Sequence, residues 1–447
     1  MKLRSIALAT LAVVASHAFA APDNTPVTAA QAAAATDILY VSGSSAAKAI
    51  ISGLVQQNCN APSFVTFSDS TGNYNAYACR VANVNDWNLT ENTIVVVNKR
   101  DNLGSGFGVF PVAYNTSIDF LNLSNCPTNT TCGLFKHTPD AGISDAEPTL
   151  FNATANRPAD FTAAAPVKVS NFGVVTPVFS QVFGVAVTAK LYAALQAAQG
   201  TSGIPSLSST YLANFFSQNV GVVGYNPLKV ANADAGVNVC FRDIGSGTRA
   251  AANAFFGQYP GNGVSGFLPL TGDVATQTAP TDDSFEIYVS EAGSGGGVQT
   301  CLKNVNAKSI GYGIGLLGLG TAEVPADYKY VAIDGVAPSR DSAKNGGYGF
   351  WVESTIQTNK LSTASAPAKA FLNQFIAKAS YATNLNQLSS SAQNGVFALP
   401  LATSNVAADN CGNYAGTYPV GGTTPADKFC SRYSRGTSSP AIPSFFK

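Results

Sequence analysis

The segment from Arg242 to Thr248 has the composition of an oxyanion site. The apolar run 237–241 precedes Arg242-Asp243-Ile244-Gly245-Ser246-Gly247-Thr248, and a segment with helical spacing follows over residues 250–256. The arginine, the two hydroxyls and the backbone N–H groups at a helix start all donate hydrogen bonds that suit an anion. The glycines allow close approach of the backbone to a ligand. The segment is not a Walker A loop, and no G-x-S-x-G nucleophile elbow occurs in the chain.

A second donor-rich turn lies earlier in the chain. Residues 38–41 predict a short strand, Ser42-Gly43-Ser44-Ser45 predicts a turn, and residues 46–55 predict a helix with apolar positions at helical spacing. A helix start presents unpaired N–H groups and a partial positive charge, so an exposed turn of this kind can hold an anion. An ordinary N-cap that binds nothing is the alternative interpretation.

Further strand and helix patterns alternate along the chain. Apolar runs at 94–97 and 174–189 predict strands, and residues 191–198 predict a helix. Strands that alternate with helices favour an α/β protein with mostly parallel sheets, in which ligands collect at the carboxyl ends of the strands. The stretches 107–170 and 257–285 are rich in Asn, Thr, Gly and Pro and are interpreted as insertions.

Composition excludes several kinds of function. Only 11% of the 447 residues are charged, and 25 basic residues balance 25 acidic ones; the usual charged share is about 25%. Without a basic excess, a nucleic-acid partner is not expected. The chain has two histidines, His17 and His137, and no C-x-x-C pair, so neither a metal nor another cofactor is expected.

The N-terminus has the pattern of an export signal. Lys2 and Arg4 precede an apolar stretch at 6–16, and Ala18-Phe19-Ala20 provides small residues for cleavage. We expect residues 1–20 to be removed as a signal peptide and residues 21–37 to form a flexible leader. The mature protein is expected to be periplasmic or secreted, with no membrane insertion, because no later apolar run reaches about 18 residues.

Eight cysteines in an exported chain predict disulfides, and eight allow about 105 connectivities. Proximity in sequence favours the pairs Cys59 with Cys79, Cys126 with Cys132 and Cys411 with Cys430, which leaves Cys240 for Cys301. A zinc site is the alternative, although the spacings do not favour it.

These motifs together resemble the phosphate-binding proteins of bacterial phosphate ABC transporters and the related DING proteins. Besides the arginine segment, Val41–Ser45 is similar to the first ligand turn of that family, Gly142-Ile143-Ser144-Asp145-Ala146 to its G-A-S-D-A segment, and Gly104-Ser105-Gly106 to its second turn. Residues 293–298 and 309–312 are similar to a glycine turn and a following strand of the family. The similar pieces occur in the family's order from about residue 38 to 400.

The resemblance implies a set of ligand-binding residues. The expected anion contacts are Ser44, Ser45, Ala46, Ser105, Asp145, Arg242, Ser246, Gly247 and Thr248. Asp145 would accept a proton from the anion, which favours hydrogen phosphate over sulfate, since a carboxylate repels an unprotonated dianion. The alternative for Asp145 is an N-cap ahead of Pro148. Arg249 would add a second cation near Arg242.

The resemblance also implies a two-lobe type 2 periplasmic-binding fold with mixed, mostly parallel sheets in each lobe and the ligand cleft between the lobes. Residues 38–177 and 341–447 would form the first lobe, with a disulfide-stapled tail, and residues 178–340 the second. The chain would cross between lobes near residues 183–187 and 348–352.

The function that these expectations favour is an exported solute-binding protein for phosphate or a similar oxyanion, without chemistry of its own, monomeric and served by an ABC permease. A secreted phosphatase-like enzyme of the DING type, using Ser246 or Ser45, is one alternative, although His137 is the only histidine left for a base. An extracellular or matrix interaction protein that reuses the fold is the other alternative.

Overall fold

A computed structural model describes residues 22–83, 85–217, 222–223, 230, 237–257, 285–399, 429–431, 433–435 and 444–445. The strands of the first half are β1 (Asp37–Gly43), β2 (Val65–Ser68), β3 (Tyr74–Arg80), β4 (Ile94–Arg100), β5 (Ile118–Asn122), β6 (Gly133–His137), β7 (Ala141–Ser144) and β8 (Val175–Thr188). Those that follow are β9 (Ser206–Leu207), β10 (Val222–Val223), β11 (Val237–Arg242), β12 (Phe285–Ala292), β13 (Gly313–Gly318), β14 (Tyr328–Ile333), β15 (Trp351–Thr358), β16 (Val396–Phe397), β17 (Tyr433–Ser434) and β18 (Ser444–Phe445).

The helices alternate with these strands. They are α1 (Ala29–Ala33), α2 (Lys48–Gln56), α3 (Gly106–Tyr114), α4 (Ala189–Gln199), α5 (Ser209–Ser217), α6 (Gly247–Gly257), α7 (Gly295–Asn306), α8 (Arg340–Lys344), α9 (Ala366–Lys378), α10 (Ala382–Leu385) and α11 (Ser390–Asn394). Short 3-10 turns occupy Ala61–Ser63, Pro148–Asn152, Thr154–Asn156, Ala159–Phe161 and Val169–Asn171. The mixed α/β class is confirmed. None of the helices in the described ranges has the length and apolarity that a membrane span requires.

One mixed sheet connects most of the strands, in the order β10-β12-β11-β13-β8-β15-β7-β1-β4-β3-β2. Its two parallel groups are β7-β1-β4 and β12-β11-β13. The expectation of mostly parallel sheets is wrong for the described strands, where antiparallel ladders predominate. The reason is that β8 and β15 lie between the two parallel groups and run antiparallel to each other and to their neighbours β13 and β7.

Two large apolar cores lie on either side of this junction. One contains the β11, β13 and β14 side chains together with Val182 and Trp351. The other contains the β1 and β4 side chains together with Phe179 and Ile356. Strands β8 and β15 therefore each contribute side chains to both cores. In β8 the change from one core to the other lies between Phe179 and Val182, and in β15 it lies between Trp351 and Ile356. These two strands, which include parts of the predicted crossings, are shared by both cores.

The leader predicted to be flexible contains structure. Thr28 and Gln31 form a capping box at the start of α1, and Val27 and Ala32 are buried. They pack in a third apolar cluster with Val96 and other residues of the sheet face. Residues 22–36 are therefore held by apolar burial, whereas the predicted signal peptide lies outside the described residues.

Three of the predicted disulfides are confirmed. The pairs Cys59–Cys79, Cys126–Cys132 and Cys240–Cys301 are bonded. In the fourth predicted pair, Cys411 lies outside the described residues, as does much of the predicted tail and most of the segment 257–285. The Cys240–Cys301 bond joins the strand that ends at Arg242 to helix α7.

We predict that the Cys240–Cys301 disulfide stabilises the protein more than the Cys126–Cys132 disulfide does, because it closes a longer loop. The Cys240–Cys301 bond closes a separation of 61 residues and the Cys126–Cys132 bond a separation of 6. In the chain-entropy description, their removal lowers the free energy of unfolding by about 4 and about 2 kcal/mol. Urea denaturation of Cys240→Ala/Cys301→Ala and of Cys126→Ala/Cys132→Ala measures both losses. Equal losses would contradict an origin in loop entropy.

Candidate functional site

The predicted ligand turns follow strands whose carboxyl ends lie along the same edges of the sheet. Ser42 on β1 is in register with Gly142 on β7 and with Arg100 on β4. In the other parallel group, Arg242 is in register with Ala292 on β12. The turn after β1, the segment after β7 and the turn after β4 therefore emerge together, and so do the turns after β11 and β12.

Arg242 joins these two sets of turns. Its Nε donates to the carbonyl of Ala292 over 3.1 Å, and its Nη2 donates to the carbonyl of Gly293 over 3.1 Å. Its Nη1 donates to Ser45 Oγ over 3.0 Å. A guanidinium has five N–H groups, so two have no partner among the described residues. Burial lowers the pKa of Arg242 to about 10, partly opposed by the charge of Asp145, and the side chain remains cationic at neutral pH.

Backbone contacts hold the same two sets of turns together. The N–H of Gly106 donates to the carbonyl of Gly245 over 2.7 Å, and the N–H of Leu103 donates to the carbonyl of Gly293 over 3.0 Å. Gly245 has a φ of +95°, and a Cβ there would collide with Pro158. A glycine is required at this position because any other residue would be strained at this φ and its side chain would displace Pro158.

Asp145 lies behind Arg242 in a layer of buried polar groups. Its Oδ1 accepts a hydrogen bond from Ser44 Oγ, and its own N–H donates to Ser105 Oγ over 3.0 Å. A Cβ at Gly247 would collide with Asp145 Oδ2 and Ser105 Oγ, so the start of α6 rests directly on these side chains. Burial raises the pKa of Asp145, opposed by the Ser44 hydrogen bond and by Arg242. Asp145 is not an N-cap, because Glu147 occupies that position before Pro148.

Lys99 positions the first ligand turn, and sequence reasoning did not identify this role. The side chain is fully buried at the end of β4. Its Nζ donates to the carbonyls of Gly43, Ser44 and Arg100 at 3.1–3.2 Å and to Asp101 Oδ1 at 2.7 Å. Burial lowers the pKa of Lys99, while Asp101 opposes the shift. A lysine within an apolar strand pattern was the available signal, because such a charge needs buried partners.

Arg249 supports the backbone of Arg242 and does not add a second cation to the proposed site. Its Nη1 donates to the carbonyl of Arg242 over 3.0 Å and forms an ion pair with Glu291 over 2.6 Å. The guanidinium also lies 4.8 Å from the centre of the Phe241 ring. The acid that balances it comes from β12, a pairing that only the parallel β11–β12 ladder creates.

A polar cleft of about 850 Å³ opens beside Arg242. Four of the predicted site residues line it, namely Ser45, Ala46, Arg242 and Thr248. The start of α7 contributes Ser294 and the glycines at 295–297. The five other predicted residues, Ser44, Ser105, Asp145, Ser246 and Gly247, are buried in the layer behind the cleft. The predicted set is therefore brought together in space, but only four of its members line the cleft.

The remaining catalytic or metal-binding candidates are placed elsewhere. His137 ends strand β6, where its ring stacks on Tyr40 at 3.7 Å and its Nδ1 pairs with the carbonyl of Thr138. No cluster of His, Cys, Asp and Glu that could hold a metal ion occurs among the described residues.

Comparisons with known proteins find solved structures that align with most of this chain at low identity. No family model and no curated protein matches this sequence. A substrate-binding protein assigned to a phosphate ABC transporter of Clostridium perfringens, solved with bound phosphate, aligns with a TM-score of 0.41 and 11% identity over 76% of this chain and 93% of its own. A phosphate transport receptor of Vibrio cholerae aligns with a TM-score of 0.38 and 11% identity over 75% of this chain and 92% of its own. PstS of Borrelia burgdorferi aligns with a TM-score of 0.31 and 12% identity over 76% of this chain and 92% of its own.

We predict that Asp145→Asn stabilises the protein most above the pH range in which Asp145 titrates. A folded-state pKa above the unfolded value means that the contribution of Asp145 to stability is fully retained below the unfolded pKa and is lost as the pH rises through the folded pKa. The neutral amide avoids this loss and can still accept from Ser44. Thermal unfolding in anion-free buffer at pH 3 and pH 7 measures the difference. A stability gain of Asp145→Asn over the wild type that is larger at pH 3 than at pH 7 would contradict a raised pKa for Asp145.

We predict that Lys99→Met destabilises the fold by about 3–5 kcal/mol, because it leaves Asp101 buried without its cation. Lys99→Met/Asp101→Asn should recover part of this loss. The matched control is Lys136→Met, since the ion pair of Lys136 with Asp119 is largely exposed and should contribute less than about 1 kcal/mol. Urea denaturation measures all three, and a loss in Lys99→Met no greater than in the control would overturn the role of Lys99.

Proposed function

We propose that this protein is an exported solute-binding protein that takes phosphate or a similar oxyanion into the cleft beside Arg242. The observation that carries the proposal is the placement of Arg242, a buried cation that lines the polar cleft and has two N–H groups beyond its three bonds to the described residues. Such a charge in a low-dielectric wall attracts an anion more strongly than an exposed one. The role is one of binding, without chemistry of its own.

The groups around Arg242 suit the same ligand. Ser45 and Thr248 line the cleft with hydroxyls, and helices α6 and α7 begin beside it. At the start of α7, the N–H groups of Gly295 and Gly297 already donate to Ser45 and Ser294. Helix starts present N–H groups and a partial positive charge to an anion. Hydrogen bonds to a charged group contribute about 1.5–3 kcal/mol each, whereas association costs about 4–15 kcal/mol. Five or six donors near the upper end of that range reach the about 8 kcal/mol of a micromolar complex when the association cost lies in the lower half of its own range.

The buried layer supplies the proposed selectivity. Asp145 would meet a protonated anion if the start of α6 moved away from it, since Gly247 now rests on its carboxyl group. A carboxylate there would favour hydrogen phosphate over sulfate, because only the former can donate a proton. Ser44, Ser105 and Ser246 would become donors at the same time.

The movement that this requires suits a two-lobe arrangement. Under the proposal, residues 38–177 with 341–447 form one lobe and residues 178–340 the other, as in a type 2 periplasmic-binding fold. Strands β8 and β15 would carry the hinge, since each contributes to both apolar cores. The predicted export signal places such a protein in the periplasm or outside the cell, as a monomer and with an ABC permease as the proposed partner.

Isothermal titration with phosphate, after removal of bound anions, tests the proposal. We expect binding near micromolar affinity and a loss of at least about tenfold in Arg242→Ala, since one charge-assisted hydrogen bond corresponds to about that factor. Arg242→Ala also removes the cation beside the buried carboxylate of Asp145 and the half-buried carboxylate of Asp243, which destabilises the fold. Thr248→Val is therefore included as a variant that removes one cleft hydroxyl and no charge. Lys136→Ala, an exposed cation outside the cleft lining, is the control and should bind as the wild type does.

The outcomes separate the alternatives. Absence of heat with phosphate, sulfate and molybdate would overturn the proposal. Tighter binding of sulfate would keep the oxyanion site and overturn the role of Asp145. Unchanged affinity in both Arg242→Ala and Thr248→Val would place the anion elsewhere.

A further inference from the structure

The cleft beside Arg242 is much larger than an inorganic anion needs. Its volume is about 850 Å³, within the range of about 300–1,000 Å³ typical of pockets for drug-sized ligands. A tetrahedral oxyanion has five non-hydrogen atoms and would occupy only the part of the cleft next to the guanidinium. The residues that line the rest of the cleft therefore indicate the chemistry of the other part of the ligand.

Those walls are polar but mostly uncharged. Hydroxyl and amide side chains line both sides, from helix α2 and the β2–β3 hairpin on one side to α7 and the end of β13 on the other. They include Ser52, Thr66, Thr71, Gln299, Thr300 and Thr321. Lys48, Asp101 and Glu291 also line the cleft. Each has a partner in the protein, since Lys48 donates to the carbonyl of Gly72, Asp101 is paired with Lys99 and Glu291 is paired with Arg249. This surface suits a neutral body with several hydroxyl groups.

Tyr77 gives an independent indication of a ligand in this part of the cleft. It lines the cleft and is 1% exposed, yet its hydroxyl has no hydrogen-bond partner within the described residues. A buried polar group without a partner costs about 1–3 kcal/mol. Native proteins rarely keep such a group without a reason. A ligand hydroxyl would satisfy it.

We propose that the ligand is a phosphate monoester of a polyhydroxylated body, such as a sugar phosphate. The phosphate group would bind Arg242, Ser45 and the starts of α6 and α7, and a hydroxyl of the body would pair with Tyr77. This inference rests on the proposed oxyanion site and specifies the class of its ligand. Inorganic phosphate would then occupy only part of the site and bind more weakly than the ester.

Titration calorimetry with glucose 6-phosphate, glucose and inorganic phosphate tests this inference. We expect glucose 6-phosphate to bind at least tenfold more tightly than inorganic phosphate, and glucose alone to bind weakly. Tyr77→Phe removes one hydroxyl and should weaken glucose 6-phosphate by about fivefold to tenfold, while the affinity for inorganic phosphate stays unchanged. Tyr381→Phe is the matched control, since Tyr381 does not line the cleft.

Each result is informative about one of the two proposals. Binding of inorganic phosphate with no gain from the ester would overturn the inference and leave the oxyanion site intact. Tighter binding of the ester that is unchanged in Tyr77→Phe would overturn the placement of the hydroxylated body. No binding of either phosphate would overturn the proposed function itself. If Tyr77→Phe lowers thermal stability, the unchanged affinity for inorganic phosphate still shows that the site is folded.

Discussion

The arrangement of this molecule depends on the burial of one guanidinium between two sets of strand ends. A buried cation needs acceptors and opposite charge nearby, since its desolvation is costly. Arg242 obtains carbonyl acceptors from the turn after β12 and a hydroxyl acceptor from the turn after β1, with Asp145 close behind. Because these partners come from both parallel strand groups, the same interaction that stabilises the charge brings the candidate site together.

The rest of the fold serves to hold those strand ends in place. Strands β8 and β15 join the two parallel groups into one sheet, and both apolar cores include residues of each strand. The tail also contacts this junction. Arg435 donates to the carbonyl of Gly349 over 2.6 Å, its backbone N–H donates to Glu353, and its guanidinium lies 4.6 Å from the Trp351 ring centre. The described tail thus packs on the segment that joins the two cores.

Local sequence patterns predicted the strand–turn–helix units well. The strand over 38–41, its serine turn and the following helix correspond to β1 and α2, and the run 237–241 corresponds to β11. Three disulfide pairs also followed from proximity along the chain. The helix within residues 22–36 was missed, because its order comes from burial against β-sheet residues that are distant in sequence. Lys99 was missed for the same reason, since three of its acceptors are carbonyls, two of them in another strand–turn unit.

The sequence by itself determined which groups could hold an anion. The glycines, the hydroxyls and Arg242 stand at or just after strand ends, and local backbone preferences are sufficient to place such residues at turns and helix starts. Only the tertiary structure decided which of them face the cleft. Ser45, Ala46, Arg242 and Thr248 line it, while Ser44, Ser105, Asp145, Ser246 and Gly247 pack behind it. That division arises because turns from distant parts of the chain pack against one another. Contacts between residues distant in sequence cannot be predicted from local sequence patterns.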